Sequence, residues 1–157
     1  MREKSCLDSN IAVLDKYFKM EQIPNWFYRL SVKALILNQD KKFLLIREEK
    51  WWDLPWWWLE YWESPQEWIK RELLEELWIN VKHIKENPSY FITAKKDIWI
   101  WVANVIYETQ IGIDAIDNFK LSDECLEAKF FSIDDAQNET LFPIVKEFLK
   151  YFNSLNY

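Results

Sequence analysis

Residues 51–62 read WWDLPWWWLEYW, and the chain that contains them has a single glycine, Gly112. No other feature constrains the backbone as strongly. Tight turns, left-handed helix ends and loops that approach a ligand closely are glycine's positions, because glycine has no Cβ. Glycine averages about 7% of residues in soluble domains. A 157-residue chain with one glycine must build those positions from residues that resist them. The same chain has 11 tryptophans, six of them in these twelve residues. The excess of one residue type nearly equals the shortage of the other.

The rest of the composition is ordinary. Half the residues are apolar and 29% are charged, which suits a globular chain rather than a disordered one. The length suits one domain that can fold on its own core. A net charge of −6 weighs against a nucleic-acid backbone as partner, since that calls for a basic face. No apolar run approaches the length of a membrane span, and MREKSCLDSN lacks the apolar stretch of a signal peptide. Cys6 and Cys125 lie far apart and form no C-x-x-C. The expectation is two free thiols in a reducing cytoplasm.

Residues 1–27 read as an N-terminal extension, with IAVLDKYFKM able to form a short helix, and residues 28–155 as the main domain. LSVKALIL (30–37), the turn NQDKK and FLLIR (43–47) predict a hairpin. SYFITA (89–94), KKD and IWIWVANVIY (98–107) predict another. Residues 108–127 form an acidic connection, AKFFS (128–132) a short strand, and LFPIVKEFLKYF (141–152) a closing helix. Strands and helices mixed in this order predict an α/β fold, a sheet covered by helices.

One further helix carries the chemistry. Ser64-Pro65-Gln66-Glu67 is a strong helix start, with a capping serine, proline at the first position and a glutamate that completes a capping box. Ile69, Leu73 and Leu77 then form one apolar stripe. Glu72, Glu75 and Glu76 share another face at spacings of three and four. Such like charges repel and weaken a helix. The plain reading is a solvated acidic face. A divalent cation reverses the sign of the effect, and Mg²⁺ prefers carboxylate oxygens. Trp78 follows the helix at the place where a left-handed residue, usually glycine, ends it.

Residues 57–79 resemble the Nudix box, G-x5-E-x7-R-E-U-x-E-E-x-G-U, where U is aliphatic. Trp57 stands at the first glycine and Glu63 at the first glutamate. Arg71, Glu72, Leu73, Glu75 and Glu76 follow in register, then Trp78 at the second glycine and Ile79 last. Leu54-Pro55-Trp56-Trp57 resembles the L-P-G-G that leads into the box. The resemblance extends over roughly residues 28–152. It implies the Nudix fold, a mixed β-sheet sandwiched between helices (α/β/α). It also implies a pyrophosphohydrolase acting on a nucleoside diphosphate linked to another group, with a small-molecule nucleotide as partner and room for a homodimer. By resemblance the cofactor is Mg²⁺, with Mn²⁺ as a substitute. Glu75, Glu76, Glu72 and the Trp57 carbonyl are then the metal ligands. Glu72 is alternatively the general base, and Arg71 pairs with Glu63 to hold the loop on the helix. Glu124 or Glu127 offers a further acidic ligand. A Nudix-fold protein that binds nucleotides without catalysis is the alternative, and an indole platform for sugars or single strands is a third.

The tryptophans suggest their own explanation. UGA is read as glycine in some bacterial lineages and as tryptophan under other codes. A gene of the first kind, translated with a table of the second, gives this sequence. Trp56, Trp57, Trp58, Trp62 and Trp78 fit best, then Trp51, Trp68, Trp99 and Trp101, while Trp52 reads as genuine. Trp99 and Trp101 also suit a strand as they stand. His83, the only histidine, has no partners for a triad or metal cluster.

Overall fold

The alternation of side chains along two apolar strands organises the molecule. It is described by a computed structural model over residues 28–59, 62–95, 101–112, 115, 120–123 and 125–154. The elements run β1 (Tyr28–Ile36), β2 (Phe43–Glu48), β3 (Trp51–Asp53), β4 (Trp56–Trp58), α1 (Pro65–Leu77), β5 (Val81–Ile84), β6 (Tyr90–Lys95), β7 (Trp101–Ile111), β8 (Glu127–Phe131), α2 (Ile133–Gln137) and α3 (Pro143–Ser154). One sheet has the order β4-β1-β7-β5, with β6 also on β7; a second has the order β3-β2-β8. β1 and β7 are parallel, from Tyr28 opposite Trp101 to Ile36 opposite Thr109. The other pairs are antiparallel.

Side chains alternate across a strand, and the inner stretches of β1 and β2 are buried on both faces. Val32, Ala34, Ile36, Leu44 and Ile46 join a core with Ile69, Leu73 and Leu77 of α1. Leu35, Phe43 and Leu45 join another with Ile144, Val145 and Phe148 of α3. Helices therefore cover opposite faces of the strands, the expected α/β/α sandwich.

The first predicted hairpin is corrected. The chain does reverse at residues 38–42, where Asn38 Oδ1 accepts from the backbone N–H of Asp40 and Lys42 at 3.0 and 2.9 Å, and Leu37 bridges Phe43. β2 then leaves the first sheet and pairs with β3 and β8. Two strands that must be buried on both sides are better covered in adjoining sheets than side by side at one edge. The second hairpin forms as β6 and β7, its turn lying outside the described residues, as do the proposed helix near residue 11 and Trp99. β3, β4, β5 and α2 were not expected. Three-residue strands give too short a pattern to read.

The helix start reads as expected. The Ser64 hydroxyl accepts from the Glu67 N–H at 3.3 Å, and the Glu67 carboxylate accepts from the Ser64 N–H at 3.2 Å. These Ser64 contacts hold the Glu67 carboxyl below its ordinary value. Ser64→Ala is expected to cost about 1 kcal/mol in a urea titration at neutral pH. A lowered folded value means stability that is present above the ordinary carboxylate range and lost as pH falls through the lowered one. The gap between the two proteins should therefore narrow in acid. A gap that is constant with pH would contradict the reciprocal cap.

The glycine question also has an answer in the backbone. Three described residues have positive φ, namely Lys41 (60°), Glu49 (48°) and Trp78 (57°), and no glycine does. Trp78 ends α1 in the left-handed region, its N–H bonding to Leu74 O at 3.1 Å and that of Ile79 to Leu73 O at 3.0 Å. This closure places a left-handed residue at the site that glycine favours, and a residue with a Cβ resists it by about 1–2 kcal/mol. The Trp78 ring lies exposed, with Lys120 Nζ 4.7 Å above it. Trp78→Gly is expected to raise stability by about 1 kcal/mol. A thermal melt with unchanged or lower Tm would contradict strain at this residue.

Candidate active site

Three carboxylates of the motif, Glu63 just before α1 and Glu72 and Glu75 on it, surround the Arg71 guanidinium. Arg71 donates from Nε and Nη2 to Glu63 at 3.2–3.4 Å, and from Nη1 to Glu75 at 3.0 Å. Its Nη2 also lies 2.8 Å from Glu72 Oε1. The expected pairing of Arg71 with Glu63 is thus present, and it fastens the loop before α1 onto the first turns of the helix. Two more carboxylates share the same cation. The Glu63 hydrogen bonds and neighbouring negative charges hold Arg71 above its already high value. Arg71 also lies over the Trp68 ring, 4.5 Å from its centre.

The three glutamates of the acidic face divide between two environments. Glu75 is 58% exposed and turned to Arg71. Glu72 is 15% exposed. It lines a cleft with Glu76, Trp56, Trp57, Trp58 and Trp68, and Glu48 at the end of β2 joins it. Burial raises the Glu72 carboxyl above the ordinary range, against the opposing pull of Arg71. Among the described residues no three acidic, histidine or cysteine groups converge where they could hold a metal ion. The structure therefore brings Glu72 and Glu76 to one cleft and holds Glu75 on the Arg71 side of the helix. The donor set itself consists of hard carboxylate oxygens, which is the chemistry Mg²⁺ takes.

The remaining expected residues are placed as follows. Trp57 sits at the centre of β4 opposite Val32, almost fully buried. Glu127 is bound by Arg47 at 2.8 Å and does not line the carboxylate cleft. Glu124 lies outside the described residues. His83 is exposed on β5. Cys125 is buried, its thiol donating to Glu127 O at 3.4 Å, and burial pushes it up, away from a reactive thiolate.

Sequence reasoning missed Glu48, and also a buried pair, Lys33 and Asp53. Lys33 Nζ donates to Asp53 Oδ2 at 2.9 Å with both side chains inside the protein. The signal was available. A lysine in the middle of the apolar run LSVKALIL is out of place unless a carboxylate meets it.

The indoles crowd the carboxylate cleft. Trp56 and Trp58 stand edge to face, 5.2 Å apart. The Trp57 and Trp68 rings are buried, and their Nε1–H groups have no partner. A buried donor without an acceptor costs stability.

The comparisons with known proteins agree with this geometry. The family model of the NUDIX domain matches residues 27–152. A MutT protein from Methanosarcina mazei Go1 is similar in structure, at 25% identity and a TM-score of 0.71 over 85% of this chain and 99% of that one. The NUDIX domain of Shewanella oneidensis NrtR, solved with ADP ribose, superposes over all of both chains with a TM-score of 0.67 at 15% identity. A structure described as UDP-X diphosphatase has a TM-score of 0.65 at 19% identity, over 98% of this chain and 74% of that one. A search of curated protein sequences gives no match. No described helix is long and apolar enough to cross a membrane. With the motif in register, Arg71 closed on Glu63 and the family model covering most of its length, the chain belongs to the Nudix hydrolase family, whose activity is hydrolysis of phosphoric anhydride bonds.

Proposed function

We propose that the protein is a metal-dependent pyrophosphohydrolase that cuts the pyrophosphate bridge of a nucleoside diphosphate linked to another group. The observation that carries this reading is the cleft in which Glu72 and Glu76 meet, beside an arginine that locks the preceding loop to the same helix. Glu72, Glu76 and the Trp57 carbonyl would hold Mg²⁺, or Mn²⁺ in its place, and Glu75 would join them on release from Arg71. A bound divalent cation neutralises phosphate oxygens and activates water. Glu72 is alternatively the general base, placed in the same cleft as Glu76. Arg71 keeps Glu63 and Glu75 positioned, the task of groups that orient ligands. The test is a panel of nucleoside triphosphates, nucleotide sugars and dinucleoside polyphosphates with Mg²⁺, the products separated by chromatography. Release of a nucleoside monophosphate is expected. A panel left intact would contradict the reading.

One observation favours a second reading. Trp56, Trp57 and Trp58 all line the carboxylate cleft, and indoles there suit binding more than turnover. Tight nucleotide binding without hydrolysis would support it.

We also propose that Trp56, Trp57, Trp58, Trp62 and Trp78 are UGA codons decoded as glycine in the source cell. The positive φ of Trp78 and the unpartnered Nε1 of Trp57 support this. Trypsin cuts after Lys50 and Lys70, so the mass of peptide 51–70 from the native source tests most of these positions at once. Several Trp-to-Gly mass differences are expected. The mass of the sequence as written would remove the proposal.

A further inference from the structure

β4 consists of three identical residues, Trp56-Trp57-Trp58. The pattern of side chains along a strand specifies its register, and a run of one residue type has no pattern. The same holds if all three are glycine. Yet β4 lies on β1 in a single register, with Ser31 opposite Trp58, Val32 opposite Trp57 and Lys33 opposite Trp56. The bonds that flank it are main-chain bonds, from the Ala34 N–H to Pro55 O at 2.9 Å and from the Leu59 N–H to Leu30 O at 3.3 Å. Every residue but proline offers both such groups, so these bonds hold a register without choosing it.

The Lys33–Asp53 pair can choose. Lys33 is 1% exposed and Asp53 6%, and with Asn104 of β7 they line a narrow cleft. Lys33 Nζ lies 2.9 Å from Asp53 Oδ2, and Asp53 Oδ1 accepts from the Leu54 N–H at 2.7 Å. Asp53 ends β3, which belongs to the other sheet, and only Leu54 and Pro55 separate it from Trp56. One lysine on β1 thus faces Trp56 across the strands and holds the residue three places before it. Moving β4 along β1 by one residue, about 3.4 Å, would draw Asp53 off Lys33. Both charges would then be buried and apart, which is costly. Contact between identical apolar side chains makes no such distinction.

We propose that Lys33 and Asp53 are positioning residues, whose ion pair sets the register of β4 on β1 and with it the place of Trp56 and Trp57 in the carboxylate cleft. The assignment rests on the metal-dependent reading above, in which the Trp57 carbonyl belongs to the metal set. Trp56, Trp57 and Trp58 line that cleft with Glu48, Glu72 and Glu76, so a shift of β4 moves one wall against the carboxylates of the others. Metal–ligand distances hold to about 0.2 Å, far less than one residue's step along a strand. A buried ion pair often adds little stability over uncharged residues of the same volume, and its best-attested use is to fix register. The pair acts on the site through the backbone it holds.

The test has two separate readouts on the full chain, one of them without metal. Lys33→Met/Asp53→Asn removes both charges, nearly keeps their shapes and leaves an acceptor for the Leu54 N–H. It should melt well above Lys33→Met alone, since no buried charge is left without its partner. In nuclear magnetic resonance spectra without metal, the parent should show a cross-peak between the Hα atoms of residues 33 and 56, which face each other closely in a non-hydrogen-bonded pair. The double variant should show a second set of β4 signals in which that contact is lost. Its Mn²⁺ dissociation constant, read by electron paramagnetic resonance, should rise about 10–100-fold. If the double variant does not fold, Asp53→Asn alone decides, with the same two changes expected. A folded variant with one register and unchanged Mn²⁺ binding would overturn the proposal. A shifted register with unchanged Mn²⁺ binding would overturn the link to the site. A shifted register in the variant of a parent that binds no Mn²⁺ would support the role in register and sink the metal-dependent reading.

Discussion

Glu76→Gln is expected to lower metal-dependent turnover by about 10²–10⁴-fold while leaving the fold intact. That is the range for removing a group that moves a proton or sets charge at a reacting centre. The substitution removes a charge and changes little in shape. Glu76 is partly exposed on α1, between Leu73 and Leu77 that face the core, so its side chain is not part of the packing. Its backbone carbonyl accepts from the Ser122 N–H at 2.9 Å, which glutamine leaves unchanged. Far-ultraviolet circular dichroism and Tm should match the parent. Full turnover in the variant would remove Glu76 from the metal set.

Lys33→Met should have the largest effect on stability. It leaves the Asp53 carboxylate buried with no cation beside it. Breaking a buried ion pair from one side costs about 3–5 kcal/mol, a large part of a typical domain's total. The pH dependence identifies the cause. Burial raises the Asp53 carboxyl, and Lys33 is the main opposing influence. Without Lys33 the folded value stands further above the unfolded one. The loss should therefore be smallest in acid, where Asp53 is protonated in both states. It should grow as pH rises above the parent's own raised folded value and level off above the variant's still higher one. Urea titrations of both proteins from acid to neutral pH measure this. A difference that does not change with pH would mean that the loss comes from packing and not from the stranded charge.

The helix and its site were legible in the sequence because their signals are local. Ser64, Pro65 and Glu67 define a helix start within four residues, and Ile69, Leu73 and Leu77 place the buried stripe without reference to the rest of the chain. The register of Glu63 against Arg71 could be read in the same way, since the pairing spans eight residues. What could not be read depends on distant segments. β2 pairs with β8, about eighty residues on, with Phe43 opposite Phe131 and Arg47 opposite Glu127. No period within FLLIR announces that choice. The cleft between Lys33, Asp53 and Asn104 has the same character, since three separate strands bring it together. Lys33 was visible only as an anomaly. The carboxylates show a third limit. The spacing of Glu72, Glu75 and Glu76 places them on one helix face, but Arg71 draws Glu75 to its own side, and a spacing rule has no term for that competition.

Trp78 links the sequence and the backbone most directly. A motif reading asks for glycine there, and the left-handed φ of 57° asks for it independently. Gly112 shows no such need, with an added Cβ meeting Lys82 Cε at 3.6 Å, an ordinary contact.

Hydrolysis in ¹⁸O-labelled water, with Mg²⁺ and again with a chelator, tests the central claim most directly. The account predicts that a nucleotide substrate loses its pyrophosphate bridge only when the metal is present, and that one ¹⁸O atom enters a phosphate product. Nucleotide binding with no cleavage and no label under either condition would contradict it.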